Sequence, residues 1–314
     1  MTPRCAYTVG VITLKDVCGA AGRLAPHIHR TPVLSSGSLD RLLGRELLFK
    51  SEHLQKTGSF KVRGALNAAL QLGGPRGLVT LSSGNHAQGV AFASRVLGVP
   101  CVVVMYEDAS ETKKAAVRSY GATVMDKGVT RLNGEEFVRA IAADRGFHYI
   151  HAYDDPQVMA GQGTQALEFT EQSEAPDAVL VAVGGGGMIS GIATVIKAVW
   201  PDTRVIGVEP EAGDDTRRSL LAGERIRLEA PPRTVADGVQ TMMPGALTFP
   251  VVQKHVDEVL AVREESILEA QRLMMRHLKQ VVEPTAGLPL APLLEGADLP
   301  PRLGMFVCGG NWLP

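Results

Sequence analysis

The sequence predicts an α/β fold built on doubly wound parallel sheets, and three observations carry that prediction. Short strand-like runs are apolar along their whole length, and amphipathic stretches of helical period lie between them. Glycine, at 34 of 314 residues, is about 11% of the chain against a usual ~7%, and the excess gathers at turns. Strands apolar throughout, each followed by a helix, imply parallel sheets covered on both faces. Such sheets hold their ligands beyond the carboxyl ends of the strands.

In chain order the strand-like runs are residues 46–49, 78–81, 101–105, 122–125, 178–183, 204–208, 258–262 and 303–307. Helical periodicity predicts helices over residues 87–97, 110–120, 134–144, 157–171, 188–199 and 264–278. A further apolar helix opens near Lys61, with Gly58 and Ser59 as its expected cap. The runs fall into two αβ blocks, one from Leu78 to Ile150 and one from Ala178 onward.

Composition narrows the function. The 32 Lys and Arg against 33 Asp and Glu leave a net charge of −1, which argues against a general nucleic-acid or polyanion binder. No apolar stretch is long enough to span a membrane, and Met1 to Lys15 lacks a signal-like apolar core. Cys5, Cys18, Cys101 and Cys308 lie far apart without a C-x-x-C pair. That spacing suits reduced thiols in a cytoplasmic protein better than disulfides or a zinc site.

Five segments could carry chemistry. In Ser59-Phe60-Lys61-Val62-Arg63-Gly64 a lysine opens a helix among small and apolar neighbours. A lysine there is either a solvated helix start or, if desolvated, an amine of lowered pKa able to form a Schiff base. In Ser82-Ser83-Gly84-Asn85-His86 a strand ends in hydroxyl residues and enters a helix. That is an ordinary helix cap or an anion pocket for a carboxylate or phosphate. Gly184-Gly185-Gly186-Gly187-Met188 follows an apolar strand and precedes a helix, leaving backbone N–H groups open to a phosphate. Glu209, at the end of the next strand, would suit a dinucleotide ribose, but G-x-G-x-x-G fails at Ile189 or Ser190 in either register. A single-phosphate cofactor fits better. Glu209-Pro210-Glu211-Ala212-Gly213-Asp214-Asp215 is a solvated acidic loop or an oxygen-rich cation site. Cys308-Gly309-Gly310-Asn311 ends the last strand, with Cys308 either a small core residue or a ligand-facing thiol.

In this order, and with Ala160-Gly161-Gln162-Gly163-Thr164, Ala236-Asp237-Gly238 and Glu283-Pro284-Thr285-Ala286-Gly287, the motifs resemble one family. It is the serine/threonine dehydratase and serine racemase family of pyridoxal-phosphate enzymes, with the tryptophan-synthase-β-like fold (fold type II). The resemblance covers nearly the whole chain, from Arg30 to Asn311. It implies a larger cofactor-binding domain of residues 1–73 and 151–314, a smaller mobile domain of residues 74–150, and the cofactor in the cleft between them.

By the same resemblance, Lys61 holds pyridoxal 5'-phosphate as a Schiff base and then removes the substrate α-proton, and Phe60 packs beside the ring. Gly184, Gly185, Gly186, Gly187 and Met188 bind the phosphate, Asn85 the ring hydroxyl oxygen, and Cys308 the ring nitrogen. Ser82, Ser83, Asn85 and His86 surround the substrate carboxylate. Glu209, the Gly213 carbonyl and Asp215 match a Mg²⁺ or Ca²⁺ site. The implied reaction is an ammonia-lyase reaction, in which an L-β-hydroxy amino acid such as L-threonine or L-serine gives the 2-oxo acid and ammonia.

Ser83 also matches the residue that exchanges a proton opposite the lysine in racemases. The alternatives are therefore a serine or aspartate racemase, and a dehydratase for 3-hydroxyaspartate or a larger hydroxy amino acid. Outside the family stand a nicotinamide-dependent oxidoreductase and a non-catalytic ligand-binding protein. The arginine that eukaryotic racemases carry near Gly134 is missing here, which favours the dehydratase, with Arg131 as a nearby substitute. Tyr153 is expected beside the substrate side chain. The family's habit implies a homodimer, and the chain leaves no length for a C-terminal amino-acid-sensing domain.

Overall fold

The computed structural model describes residues 11–312; Cys5, Leu313 and Pro314 lie outside them. Among the described residues ten strands form two sheets. They are β1 (Val33–Leu34), β2 (Glu46–Ser51), β3 (Leu78–Leu81), β4 (Cys101–Val104), β5 (Thr123–Met125), β6 (His148–Tyr149), β7 (Ala178–Ala182), β8 (Arg204–Pro210), β9 (Glu258–Val262) and β10 (Arg302–Val307). The larger sheet runs β1-β2-β10-β7-β8-β9 and the smaller β5-β4-β3-β6. All pairings are parallel except β1 with β2.

The uniformly apolar runs behave as their pattern requires. Every residue of β7 is buried, and its side chains pack between helices on the two faces of the large sheet. Register aligns the carboxyl ends. Val307 pairs with Ser51 and Ala182 with Val208, so Cys308, the glycine turn and Glu209 leave the sheet on one rim. Strand order reverses at β7 in the large sheet and at β3 in the small one. The glycine turn follows β7 and Ser82–Asn85 follows β3, so both motifs occupy switch points, where such sheets open a crevice.

Three helices fix the rim. Lys61–Leu70, Pro156–Gln172 and Gly187–Val199 meet backbone to backbone. A Cβ on Gly161 would lie 2.6 Å from the Arg63 carbonyl oxygen, and one on Gly191 would lie 2.4 Å from that of Met159. The middle helix is capped by Asp155, whose Oδ1 accepts the N–H groups of Gln157 and Val158 at 2.7 and 3.1 Å, with Pro156 at the first helical position.

A buried ionic cluster anchors the same assembly. Arg63, wholly buried, donates to both oxygens of Glu52 at 2.7 and 2.8 Å, both oxygens of Glu168 at 2.7 and 2.9 Å, and Thr164 at 3.1 Å. Lys50 donates to Glu168 at 2.6 Å.

The cap expected at Gly58 and Ser59 does not form. Phe60 holds the cap position with αR backbone angles, because Ser59 is drawn into a bridge with Gly309 instead. Helix Leu14–Leu24, closed by a Thr13–Asp16 capping box, adds to the helices expected from periodicity.

Candidate active site

The carboxyl rims of the two sheets face a cleft of about 780 Å³, lined by Phe60, Lys61, Ser82 to His86, Gly184 to Met188 and Cys308. The lysine, serine, glycine and cysteine motifs, as much as 247 residues apart (61 to 308), therefore meet in one place.

Lys61 is the first residue of its helix, and its Nζ donates to the Ala152 carbonyl at 3.0 Å above the Phe60 ring, 5.2 Å from the centroid. Burial pushes its pKa down to about 8, against the opposing pull of the Glu283 carboxylate. The amine is thus partly neutral near physiological pH.

Around it, Gly186 has φ +91°, and the first-turn amides of Gly187–Val199 have no acceptor within their own helix. A Cβ on Gly185 would lie 2.4 Å from the Tyr153 ring, and one on Gly187 would lie 2.8 Å from the Tyr153 Cβ. Side chains there would fill the turn and mask its amides. Tyr153 itself lines the cleft and packs against this turn.

The Ser82–His86 turn divides its labour. Ser82 Oγ accepts the Gly84 N–H at 3.3 Å and Ser83 Oγ accepts that of Tyr106 at 3.0 Å. Asn85 Nδ2 donates to both oxygens of Glu283 at 2.9 and 3.1 Å, and Asn85 Oδ1 accepts from Asn311 at 2.8 Å. His86 Nε2 meets the Ile150 carbonyl at 3.1 Å and must donate there. Burial, with the Lys61 charge, pushes its pKa down to about 3, so this histidine is a neutral wall residue.

Cys308 is buried, and its Sγ donates to Glu283 Oε1 at 3.5 Å. Burial and then Glu283 push the thiol pKa well up, so it is a neutral thiol. Glu283 belongs to one of the sequence motifs but gains a role only here, since a carboxylate beside a Pro-Thr-Ala-Gly turn carries no signal of burial. Arg131 lines the cleft over the Tyr106 ring, 4.9 Å from its centroid, and pairs with Asp108 at 2.7 Å.

The acidic loop lies outside this cleft lining. Glu209 is buried, with Oε1 and Oε2 accepting the N–H groups of Thr216 and Arg217 at 3.0 and 2.9 Å. Both Asp215 carboxylate oxygens are buried without a hydrogen-bond partner. Burial and Asp215 push Glu209 up to about 8, and burial together with Asp214 pushes Asp215 up to about 7. Among the described residues no group of three or more His, Cys, Asp or Glu side chains converges as a metal site. The two carboxylates therefore fit only a hard cation that takes backbone carbonyl and water oxygens as well.

The half-buried amine of lowered pKa, the open-amide glycine turn and the neutral thiol fit a small phosphorylated carbonyl cofactor. The chain belongs to the pyridoxal-phosphate dependent enzyme family, whose model matches residues 24–309, and within it to the fold type II dehydratases and racemases. It is similar to the L-threo-3-hydroxyaspartate ammonia-lyase of Pseudomonas sp, 44% identical over 301 residues that cover 94% of each chain. It is 42% identical to the serine racemase of Dictyostelium discoideum, over 96% of each chain. Among solved structures, the threonine deaminase of T.th. superposes with a TM-score of 0.94 at 56% identity, covering 96% of this chain and all of the other.

Proposed function

We propose that the chain is an ammonia-lyase that converts an L-β-hydroxy amino acid, L-threonine or L-serine, to the 2-oxo acid and ammonia. The observation that carries the reading is the half-buried Lys61 amine of lowered pKa, which shares one cleft with the glycine turn and the Ser82–Asn85 turn. The relative named threonine deaminase supports the substrate choice.

When bound, pyridoxal phosphate supplies a carbonyl for amines, a ring that acidifies the substrate α-carbon, and a phosphate able to protonate the departing hydroxyl. Gly184, Gly185, Gly186, Gly187 and Met188 hold that phosphate with backbone N–H groups, and Phe60 flanks the ring. At a pKa of about 8, roughly 10% of Lys61 amines are neutral at pH 7, against ~0.03% for an ordinary lysine. Its Nζ then takes the α-proton. Ser82, Ser83 and the amino end of helix Asn85–Leu97 receive the substrate carboxylate, favoured by the helix dipole. Residues 74–150, which carry the small sheet, act as a smaller mobile unit that closes on this group. Glu209, the Gly213 carbonyl and Asp215 hold a divalent cation. The enzyme acts as a cytoplasmic homodimer.

A second reading, threo-3-hydroxyaspartate as substrate, is favoured by Arg131, a cation on the cleft wall able to meet a second carboxylate. It is supported by the relative named for that substrate.

The test is 2-oxo acid release from L-threonine, L-serine and L-threo-3-hydroxyaspartate by the holoenzyme and Arg131→Ala. Release from all three, with loss confined to hydroxyaspartate in the variant, assigns the second carboxylate to Arg131. No release from any β-hydroxy amino acid overturns the proposal.

A further inference from the structure

Glu283 is the buried acid of the cleft that the proposed reaction does not use. Its backbone N–H donates to the Gly309 carbonyl at 3.1 Å. Gly309 must lack a side chain, because a Cβ there would lie 2.6 Å from Glu283 Oε1. The carboxyl group has two named donors. One is Asn85 Nδ2, whose orientation is fixed because Asn85 Oδ1 already accepts from Asn311 at 2.8 Å. The other is the Cys308 thiol, 3.5 Å away.

A thiol has a single hydrogen, and where it points decides what the far side of the sulfur offers. We propose that Glu283 is a positioning residue that, through Cys308, sets whether the cofactor's ring nitrogen meets a hydrogen-bond acceptor or a donor. The inference rests on the proposed function and on the place beside that nitrogen that the family resemblance gives Cys308. With Glu283 ionised, the thiol hydrogen is held by the carboxylate and the sulfur presents a lone pair. With Glu283 protonated, its O–H donates to the sulfur and the S–H is released toward the nitrogen. The switch takes one proton from solvent onto Glu283 and returns it on reversal. No other bond is made or broken.

Burial brings this exchange into the working range by pushing Glu283 up to about 7. The other charges that bear on it are few. Asp237 pushes it up and Lys113 pulls it down, these two being paired at 2.7 Å on the cleft lining, while Lys61 lies on the opposite helix. Cys308 stays a neutral thiol throughout.

The experiment is an infrared titration of the S–H stretching band of Cys308 in the holoenzyme, isolated by subtracting the Cys308→Ser spectrum. A parallel titration follows the ¹⁵N resonance of cofactor labelled at the ring nitrogen. A hydrogen bond to a charged carboxylate is the stronger one, so the S–H band should move to higher frequency as pH falls through about 7. The ¹⁵N resonance should move with the same midpoint. In Glu283→Gln both signals should stay fixed, and in Glu283→Asp both should move again. A wild-type S–H band that does not move between pH 5.5 and 8.5, or one that moves unchanged in Glu283→Gln, overturns the relay. The wild-type titration decides even if the glutamine variant fails to fold. Failure of the functional reading is distinct, since it would appear as no 2-oxo acid release from any β-hydroxy amino acid, whatever the two spectra do.

Discussion

Replacing Arg63 with Met tests how the Lys61 helix is held. The side chain is wholly buried, and all five of its N–H groups are used, four on two carboxylates and one on Thr164. Methionine fills similar length but leaves Glu52, itself wholly buried, without its guanidinium. Removing one partner of a buried pair costs about 3–5 kcal/mol, a large share of the roughly 5–15 kcal/mol that holds a typical protein. Lys50 still pairs with Glu168, so the loss falls chiefly on Glu52.

The pH dependence follows with a definite sign. Burial pushes Glu52 up, but Arg63 by charge and hydrogen bonds outweighs it, and the carboxyl sits below its ordinary value. That stability is present above the unfolded value of about 4.3 and fades as pH falls through the folded one. Without Arg63, burial dominates, and the buried carboxyl is tolerated better in acid. Urea unfolding at pH 7.5 should therefore show the full loss, and at pH 4 a smaller gap. Adding Glu52→Gln should recover part of it, a coupling that a double-mutant cycle reads directly. A loss under about 1 kcal/mol at pH 7.5, or a gap that widens in acid, would refute the reasoning.

Cofactor uptake by the apoenzyme should quicken as pH rises through about 8, where the Lys61 amine loses its proton; stopped-flow absorbance measures this. Gly185→Ala places a methyl 2.4 Å from the Tyr153 ring and should weaken phosphate binding, read as a raised cofactor Kd in a fluorescence titration. Gly191→Ala meets the Met159 carbonyl oxygen at 2.4 Å, a backbone atom that cannot step aside, so thermal unfolding should show a loss of about 1–3 kcal/mol. Glu209 and Asp215 are both raised, so burying their charged forms costs stability as pH climbs from about 4 toward their folded values of about 8 and 7. Mg²⁺ or Ca²⁺ should then raise Tm more at pH 8 than at pH 5, and Glu209→Gln should abolish the difference.

Most of the large sheet was legible because its strands are apolar on both faces, which only a covered parallel sheet tolerates. β7 and β8 stand where their hydrophobic runs put them. The two-residue strands β1 and β6 carry no period to read, and are strands only because β2 and β3 lie beside them. The Gly58–Ser59 cap fails because local propensity cannot foresee that Gly309, some 250 residues on, claims Ser59.

At the site, the glycine turn and the Ser82–Asn85 turn share one cleft, as their positions at strand ends suggested, and the helix start at Lys61 joins them there. His86 and Tyr153 could be named but not oriented: one turns to a backbone carbonyl, the other onto the glycines. Glu283 was invisible as a partner, since its burial against Cys308 arises only when the last strand closes the sheet.

The most direct test is to reduce the cofactor-loaded protein with borohydride and map the modified peptide by mass spectrometry. One reduced cofactor should be found on Lys61, with none retained by Lys61→Ala, which should also release no 2-oxo acid. Label on another lysine, such as Lys50 or Lys113, or undiminished 2-oxo acid release by Lys61→Ala, would contradict the assignment of Lys61 as the amine at the centre of the reaction.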